Sequence, residues 1–256
     1  MNIHLVQIDS VWEDRPANHA KARQLIASAS PQPGSLIILP ETFSTGFSLN
    51  LAVTAEPENG PTEQFLREMA AQYQSCVIGG VVTSTSDTQG MNQALAIAPD
   101  GTVLARYTKN HPFSLGGEAQ AHIAGTGTSL FEWQGLRIAP LICYDLRFPE
   151  LARSAIRSGA EVLIYIAAWP VKRIQHWITL LQARAIENLA YVIGVNRCGT
   201  DPDFTYTGRS IVVDPHGLII ADAAEQERVI SAQIDPAIVR DWRSQFPALR
   251  DAGIPS

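Results

Sequence analysis

Short apolar runs alternate along the chain with segments of helical periodicity. Runs that are apolar at nearly every position predict strands buried on both faces, and they lie at residues 3–8, 36–39, 76–82, 136–142, 161–167 and 191–195. Segments with helical patterns predict helices at residues 16–30, 62–74, 148–158, 174–190 and 236–246. This alternation of strands and helices predicts a layered α/β fold.

Two further pairs of strands flank turn-forming residues. Residues 93–98 and 102–107 surround Asp100-Gly101, a dipeptide typical of hairpins, and residues 209–213 and 218–221 surround a second turn. Hairpin strands are antiparallel, so we expect mixed sheets. Because no linker or change in composition divides the chain, we predict one domain over residues 1–256, with a core at about 3–235 and a C-terminal helix and tail at 236–256.

Composition narrows the class of partner. The formal net charge is −6 and no run of Lys or Arg occurs, so we expect neither nucleic acid nor a membrane surface as a partner. Hydrophobic residues make up 46% of the chain, which is enough for a large core. Three widely spaced cysteines favour free thiols in the cytoplasm. The six histidines show no ligand spacing, so we expect no metal site.

Three predicted strands end in residues that can do chemistry. Glu41 follows the strand at 36–39, Lys109 follows the strand at 102–107, and Cys143 follows the strand at 136–142. Singly, each has an ordinary explanation: an exposed loop acid, a surface lysine and a small buried hydrophobic residue. Together they are the groups that amide hydrolysis needs, since a thiolate attacks, a carboxylate moves protons and a cation stabilises the oxyanion.

The position of Cys143 also predicts its reactivity. We expect a helix to begin soon after it, and a thiol at a helix N-terminus ionises below the ordinary thiol pKa of about 8.5. Cys76 begins an apolar strand with no basic neighbour and is interpreted as a core thiol. Cys198 also lies at a strand end and is the rival nucleophile.

The motifs around these residues resemble those of the nitrilase, or carbon–nitrogen hydrolase, superfamily. They are Leu-Pro-Glu-Thr-Phe around Glu41, Tyr-Thr-Lys-Asn-His-Pro-Phe around Lys109 and Leu-Ile-Cys-Tyr-Asp-Leu-Arg-Phe-Pro-Glu around Cys143. The resemblance extends over residues from about 3 to 235 and includes Trp169-Pro170, His176-Trp177, residues 180–188 and Asn196-Arg197. Tyrosine and aspartate after the cysteine are similar to the amidase branch, which includes the ω-amidases of 2-oxoglutaramate and 2-oxosuccinamate.

The resemblance implies a four-layer α-β-β-α sandwich, protomers that pair as homodimers or higher homo-oligomers, and no cofactor. It also implies hydrolysis of a small amide through a cysteine thioester. In that mechanism Cys143 attacks the carbonyl, Lys109 and the backbone N–H of Tyr144 hold the oxyanion, and Glu41 moves protons. Glu118, in the loop at 114–127, is similar to a second glutamate that orients the lysine and the general base.

An ω-amidase takes a short 2-oxo acid amide with a carboxylate at its far end, and this substrate predicts the binding residues. We expect Trp169 to form a wall and Arg173 to clamp the carboxylate, with a brace for the following helix as its alternative role. Phe43 and Phe47 are expected to close the side next to Glu41.

Other interpretations remain open. Asp145, Arg147 and Glu150 are interpreted as a structural ion-pair network rather than as substrate ligands. An N-carbamoyl amino acid hydrolase or a general aliphatic amidase would use the same catalytic groups. Outside enzymes, the same fold could serve as a binding or scaffold module.

Overall fold

Strands form the centre of the molecule. The structure is a computed structural model that describes residues 1–86 and 88–254. Its strands are β1 (Asn2–Gln7), β2 (Leu36–Ile38), β3 (Ala55–Glu56), β4 (Cys76–Ser84), β5 (Gly90–Ile97), β6 (Val103–Thr108), β7 (Phe131–Trp133), β8 (Leu136–Ile142), β9 (Val162–Ala167), β10 (Tyr191–Asn196), β11 (Cys198–Thr200), β12 (Thr205–Thr207), β13 (Ile211–Val213), β14 (Ile219–Asp222) and β15 (Arg228–Gln233).

Helices connect most of the parallel strands. They are α1 (Arg15–Ala29), α2 (Leu51–Thr54), α3 (Pro61–Tyr73), α4 (Glu118–Ala121), α5 (Pro149–Arg157), α6 (Ile174–Asn188), α7 (Pro236–Gln245) and α8 (Ala248–Asp251). α1 begins at Asp14, whose carboxylate accepts the N–H of Ala17 at 3.0 Å, and Pro16 occupies its first turn. Within residues 1–86 and 88–254, no helix is both long and apolar enough to cross a membrane.

The first sheet joins the two ends of the chain. Its described strands run in the order β15-β1-β2-β4-β5-β6, and β3 also pairs with β4. β1, β2 and β4 are parallel, in a register that places Ile3 opposite Leu36 and Leu36 opposite Cys76. β15 runs antiparallel to β1, β5 runs antiparallel to β4, and β6 runs antiparallel to β5.

The second sheet has a similar plan. Its strands, again within the described residues, run in the order β14-β13-β10-β9-β8-β7. β8, β9 and β10 are parallel, whereas β13, β14 and β7 are antiparallel to their neighbours. β11 and β12 form a separate two-stranded ribbon.

Alternate side chains of each strand face different layers. In β2, Leu36 and Ile38 pack between the two sheets, while Ile37 packs with Ile26 of α1 and Leu66 of α3. α5 and α6 cover the outer face of the second sheet and complete four layers. The predicted α-β-β-α sandwich with mixed sheets is therefore confirmed, and its parallel strands are buried on both faces as their apolar runs indicate.

The helix predicted at residues 148–158 is present as α5, but its N-terminus lies farther along the chain from Cys143 than the expected effect on the thiol requires. Cys143–Arg147 form a single 3₁₀ turn, and α5 begins only at Pro149. Several short elements were also not expected, among them the outer strands β7 and β15. β15 is mostly half-exposed or exposed, so its sequence lacks the apolar run that marks the inner strands.

Candidate active site

The three predicted catalytic side chains lie together where strands of both sheets end. Glu41 lies in the turn after β2, and Lys109 and Cys143 directly follow β6 and β8. Lys109 Nζ lies 2.8 Å from Glu41 Oε1. Glu41 Oε2 accepts the N–H of Ala168 at 2.8 Å, and the carbonyl of the same residue lies 3.9 Å from Cys143 Sγ. The carboxyl ends of the strands thus bring the carboxylate, the amine and the thiol to one place.

Glu118 completes a buried cluster of charges. Its Oε2 lies 2.7 Å from Lys109 Nζ and accepts the N–H of Phe113 at 2.7 Å. The side chains of Lys109, Glu41 and Glu118 are 1%, 0% and 0% exposed. One ammonium therefore faces two carboxylates in a region closed to solvent.

The charges of this cluster stabilise one another. Burial by itself lowers the pKa of the Lys109 amine, but Glu118 and Glu41 outweigh it and raise that pKa well above its ordinary value. Burial raises the pKa of Glu118, and the Lys109 ammonium reverses this, so the pKa is held well below its usual range. At neutral pH the site therefore presents a fixed ammonium beside the nucleophile, which is what an oxyanion needs.

A neutral amide holds both carboxylates. Asn92 Nδ2, on β5, lies 2.8 Å from Glu41 Oε1 and 2.8 Å from Glu118 Oε1. His122 Nδ1 lies 3.3 Å from Glu118 Oε1. Neither residue was predicted from the sequence, and the signal for Asn92 is a polar position near the start of a strand that is otherwise mostly apolar.

The prediction that a helix ionises the Cys143 thiol is wrong. Only a 3₁₀ turn follows Cys143, which itself adopts the left-handed conformation with φ 45°, so the chain leaves β8 in a sharp bend. Burial, followed by the charge of Glu41, raises the pKa of the thiol well above its ordinary value, although Lys109 opposes the shift. The resting Cys143 side chain is therefore a neutral thiol, with the Glu41 carboxylate beside it.

The predicted ion-pair network at Asp145 is wrong as well. The buried Asp145 carboxylate accepts hydrogen bonds from Tyr107 Oη at 2.8 Å, from the N–H of His111 at 3.0 Å and from the N–H of Ile142 at 3.1 Å. His111 Nδ1 also lies 3.0 Å from this carboxylate, and among the described residues no arginine contributes. Asp145 instead ties the end of β6, next to Lys109, to the end of β8.

A small pocket opens at Cys143. The pocket is narrow, and the space in it that is open to water is about 30 Å³. Its aromatic lining consists of Phe47, Phe113, Tyr144, Trp169, Phe204 and Tyr206.

Two guanidinium groups supply the other charge of the pocket wall. Arg147 Cζ lies 4.7 Å from the ring centroid of Trp169, and Arg173 Cζ lies 5.4 Å from that of Phe113. Glu150 is exposed, and no carboxylate of the described residues forms an ion pair with either arginine. Burial lowers the pKa of the Arg147 guanidinium, and the like charge of Arg173 adds to that effect. Arg147 therefore belongs to the pocket and not to an ion-pair network.

Of the predicted substrate-binding residues, Phe43 lies elsewhere. A tight turn at Thr42, with φ 45°, directs the fully buried Phe43 ring into the core beneath the helices, where it lies 5.8 Å from the ring of Phe65. Phe47 and Trp169 line the pocket, and the ring centroid of Phe47 is 5.6 Å from Lys109 Nζ.

Tyr206 and Phe204 are pocket residues that the sequence did not indicate. They come from the ribbon of β11 and β12, where Tyr206 Oη donates to Asp201 Oδ2 at 2.6 Å and the Arg197 guanidinium lies 4.3 Å from its ring centroid. The alternation Thr205–Thr207 is a weak strand signal. Nothing in it shows that the ribbon folds back over the ends of the parallel strands.

The fold and the site together define a class of protein. A four-layer sandwich with buried glutamate, lysine and cysteine side chains at its strand ends is the arrangement expected of a carbon–nitrogen hydrolase. In the part of the chain that the structure describes, no three His, Cys, Asp or Glu side chains are grouped to hold a metal ion. The sequence model of the family described as "Carbon-nitrogen hydrolase" matches residues 2–244, and the chain belongs to that family.

Relatives of known name narrow the class. Omega-amidase YafV of Yersinia enterocolitica is 39% identical over 253 residues, which is 98% of this chain and 96% of the relative. The 2-oxoglutaramate amidase of Bacillus subtilis is 31% identical over 238 residues, which is 93% of this chain and 92% of the relative. The predicted amidase class is thereby confirmed.

A solved structure is similar over the same length. A CN-hydrolase superfamily protein from Xanthomonas campestris, solved with an arsenic adduct in its active site, is 36% identical and superposes with a TM-score of 0.91. The match covers 98% of this chain and 96% of the other. The predicted nitrilase-type fold is confirmed by this likeness.

Proposed function

We propose that this amidase is an ω-amidase that hydrolyses the terminal amide of a short 2-oxo acid, such as 2-oxoglutaramate or 2-oxosuccinamate. The observation that carries the proposal is a small pocket in which two arginines, Arg147 and Arg173, lie near the Cys143 thiol and form no ion pair with any described carboxylate. Relatives named for ω-amidase and 2-oxoglutaramate amidase activity support it.

The first half of the reaction forms a thioester. The resting thiol is neutral, so Glu41 accepts its proton as Sγ adds to the amide carbonyl. Lys109 Nζ and the N–H of Tyr144, which lies in the first turn of a helical segment and lacks an acceptor within it, stabilise the oxyanion. The C–N bond then breaks, Glu41 gives the proton to the departing nitrogen, and ammonia leaves.

The second half of the reaction returns the thiol. A water molecule takes the place of ammonia, and Glu41 removes its proton as the oxygen adds to the thioester carbonyl. The C–S bond breaks, the acid is released and the proton returns to Sγ. Glu118 remains ionised beside Lys109 throughout and keeps the ammonium in place.

Recognition of the distal carboxylate falls to the two guanidinium groups. Each is stacked on an aromatic ring, Arg147 on Trp169 and Arg173 on Phe113, so the planar groups are held at the pocket wall. Two adjacent like charges repel each other, and an anion between them removes that repulsion while accepting charge-assisted hydrogen bonds. A neutral amide of the same length gains neither effect.

A panel of amides tests the proposal, with ammonia release measured for 2-oxoglutaramate, 2-oxosuccinamate, N-carbamoyl-β-alanine and butyramide. We expect the two 2-oxo acids to be the best substrates. Arg173→Met and Arg147→Met should each lower kcat/KM for 2-oxoglutaramate about a hundredfold and for butyramide about threefold or less. Lys172→Met is the matched control, because this exposed cation is adjacent in sequence but lies outside the pocket.

The panel also separates the alternatives. Release of carbon dioxide together with ammonia from the carbamoyl compound, at a higher kcat/KM, would indicate an N-carbamoyl amino acid hydrolase. Butyramide as the best substrate would indicate a general aliphatic amidase. Equal losses on charged and neutral substrates in Arg173→Met would assign this residue to bracing α6.

We also propose that the protein is a homodimer that pairs through its outer helix layer. Exposed apolar side chains lie on and beside α6: Ile186 is 54% exposed and Leu218 63% exposed, and the Ile186 side chain borders Gly217. Light scattering should give the mass of a dimer. Replacing Ile186 and Leu218 together with glutamate should give monomers, whereas an unchanged mass would place the interface elsewhere.

The cytoplasm is the location that suits this chemistry. Cys143 must stay reduced to act as a nucleophile, and cytosolic reductants keep thiols in that state. We therefore propose a cytoplasmic enzyme, and activity confined to an extracellular or membrane fraction of cells would contradict this.

A further inference from the structure

We infer that Asn92 is a positioning residue for the reaction: its side-chain amide sets Glu41 and Glu118 on either side of the Lys109 ammonium. This inference rests on the proposed use of Glu41, Lys109 and Cys143 in amide hydrolysis. Asn92 itself touches neither the Cys143 thiol nor the pocket, since its contacts are with the two carboxylates and with the backbone of β4 and of Lys109.

The geometry of the amide carries the inference. The two hydrogens of an Asn amide nitrogen point in different directions, so one group can donate to two acceptors. Nδ2 lies 2.8 Å from an oxygen of each glutamate, and the side chain is 1% exposed. The orientation of the amide follows from its partners, because the carbonyl oxygen turned toward two carboxylates would be repelled by both.

The backbone of the same residue fixes the third group. The carbonyl of Asn92 accepts the N–H of Lys109 at 2.8 Å, next to the last residue pair of the β5–β6 ladder. One residue thus supports all three charged residues of the site, two through its side chain and one through its backbone. A displacement of Asn92 would move the carboxylates and the ammonium at the same time.

Electrostatics shows why a donor is needed at this point. Two buried carboxylates share one ammonium, so one negative charge of the cluster is not balanced by Lys109. A buried anion without enough donors is costly, and such a pair of carboxylates responds by taking up a proton or by moving apart. Either response would disable Glu41 as the acceptor of the thiol proton, and Asn92 prevents both.

The next residue on β5 is a matched control. Gln93 is also a buried amide, 2% exposed, but adjacent strand residues point to opposite faces and its partners are Thr83, Arg106 and Thr108. Gln93→Leu removes an amide of similar burial from the same strand and leaves the charged cluster intact. A loss of activity that follows only from damage to β5 should therefore be equal in Asn92→Leu and Gln93→Leu.

Steady-state kinetics on 2-oxoglutaramate gives the first readout. Asn92→Leu should lower kcat about a hundredfold with KM within about threefold, because the binding pocket is untouched and the base is misplaced. The acid limb of its kcat/KM profile should move to higher pH, because an ionised carboxylate has lost a donor. Gln93→Leu should keep kcat within about threefold of the wild-type value and should keep the wild-type pH profile. This should hold even where its Tm falls as far as that of Asn92→Leu.

Crystal structures of the two variants give a readout that does not need activity. In Asn92→Leu, at least one of the two contacts of Lys109 Nζ, now 2.8 Å to Glu41 and 2.7 Å to Glu118, should be lost, while Gln93→Leu keeps both. Both contacts kept at these distances in Asn92→Leu would overturn the inference, as would kinetics that match Gln93→Leu. Should the wild type release no ammonia from any amide, the proposed function fails and the crystal structures alone decide the role of Asn92.

Discussion

The two halves of the molecule repeat one order of elements and differ in chemistry. Apart from short insertions, the first half runs β1-α1-β2-α3-β4-β5-β6 and the second runs β8-α5-β9-α6-β10-β13-β14. In each half three parallel strands continue into two antiparallel ones, and an outer strand, β15 or β7, pairs with the first parallel strand. The same scaffold therefore offers every strand end twice.

Only one copy of each strand end carries a residue of the proposed catalytic set. Counted from the strand ends, the counterparts of Cys143, Glu41 and Lys109 in the other half are Ile8, Pro170 and Ala223. These counterparts are buried and apolar, and none of them carries an acid, a base or a nucleophile. A strand end in this fold gives a residue the right place for chemistry, and the residue type decides whether chemistry occurs there.

The division of labour between the halves follows from the energetics of buried charge. Glu41, Asn92, Lys109 and Glu118 all come from the first half and the segment after it, where one ammonium pairs with two carboxylates and one amide donates to both. The second half supplies the neutral thiol and most of the pocket wall. Buried charges must lie next to their partners, whereas a neutral nucleophile can come from the other half.

Removal of the nucleophile should give the largest effect. Cys143→Ala should lower turnover of 2-oxoglutaramate at least about a thousandfold and leave the urea midpoint nearly unchanged, because it deletes the thiol and little buried volume. Cys76→Ala, in the first half, should keep most activity and lose about 1 kcal/mol of stability as a core thiol. Loss of turnover in Cys76→Ala or Cys198→Ala, with Cys143→Ala active, would place the nucleophile elsewhere.

Removal of the charged side chains that the first half contributes should have the second-largest effect on turnover. Glu41→Gln and Lys109→Ala should each lower kcat at least about a hundredfold, as the loss of a proton carrier or an oxyanion donor does. Lys109→Ala should also destabilise the fold, since it leaves two buried carboxylates without a cation. Lys21→Ala removes a partly exposed lysine of the same half and should keep kcat within about threefold. A wild-type kcat in Glu41→Gln or Lys109→Ala would contradict the proposal that the first half supplies the charged catalytic groups.

The influence of one half on the thiol of the other is measurable by alkylation. Burial and then the Glu41 charge raise the pKa of Cys143, so Glu41→Gln should lower that pKa and leave Lys109 to favour the thiolate. Iodoacetamide at pH 8 should then label Cys143 about tenfold faster than in the wild type, although turnover is lost. Glu118→Gln should accelerate labelling less, and slower labelling in Glu41→Gln would show that its carboxylate does not raise the thiol pKa.

The smallest expected effect is on the acid dependence of stability, and it comes from α1 and α3, the helices that cover the first sheet. In the first half, His19 of α1 stacks on Phe65 at 4.5 Å, and burial, with help from Arg15, lowers the pKa of His19 from 6.5 to about 4. The unfolded chain takes up this proton below pH 6.5, so stability falls between pH 6.5 and 4. His19→Phe keeps the aromatic stack. Between pH 6.5 and 4 its free energy of unfolding, measured with urea, should fall by about 1 kcal/mol less than that of the wild type. An identical loss in both proteins would remove His19 from the acid sensitivity.

Much of the fold could be predicted from the sequence because burial leaves a periodic signal. The inner strands are apolar at nearly every position, and helices such as α6 repeat apolar residues every three or four positions. β15 and the ribbon of β11 and β12 lack such a pattern because they are short or partly exposed. The place of β15 is fixed by pairing with β1, and that of the ribbon by contacts such as the bridge between Cys198 and Asp9, which local sequence does not record.

The residues of the site likewise fall into those that the sequence indicates and those that it does not. Glu41, Lys109 and Cys143 follow strands, so their motifs and positions indicate them. The state of the Cys143 thiol depends on what surrounds it in space, and so do the burial of Phe43 and the pocket role of Arg147. Asn92 is one polar residue in a strand, and only the approach of two glutamates from other segments shows its role.

Formation of a thioester on Cys143 is the central claim, and product partition in hydroxylamine tests it most directly. Hydroxylamine attacks a thioester in competition with water, so wild-type enzyme with 2-oxoglutaramate should release ammonia and convert a growing fraction of the acid product to hydroxamate as hydroxylamine increases. Cys143→Ala should form neither. Ammonia release that yields only the free acid at every hydroxylamine concentration, and that persists in Cys143→Ala, would show direct attack by water and contradict the account.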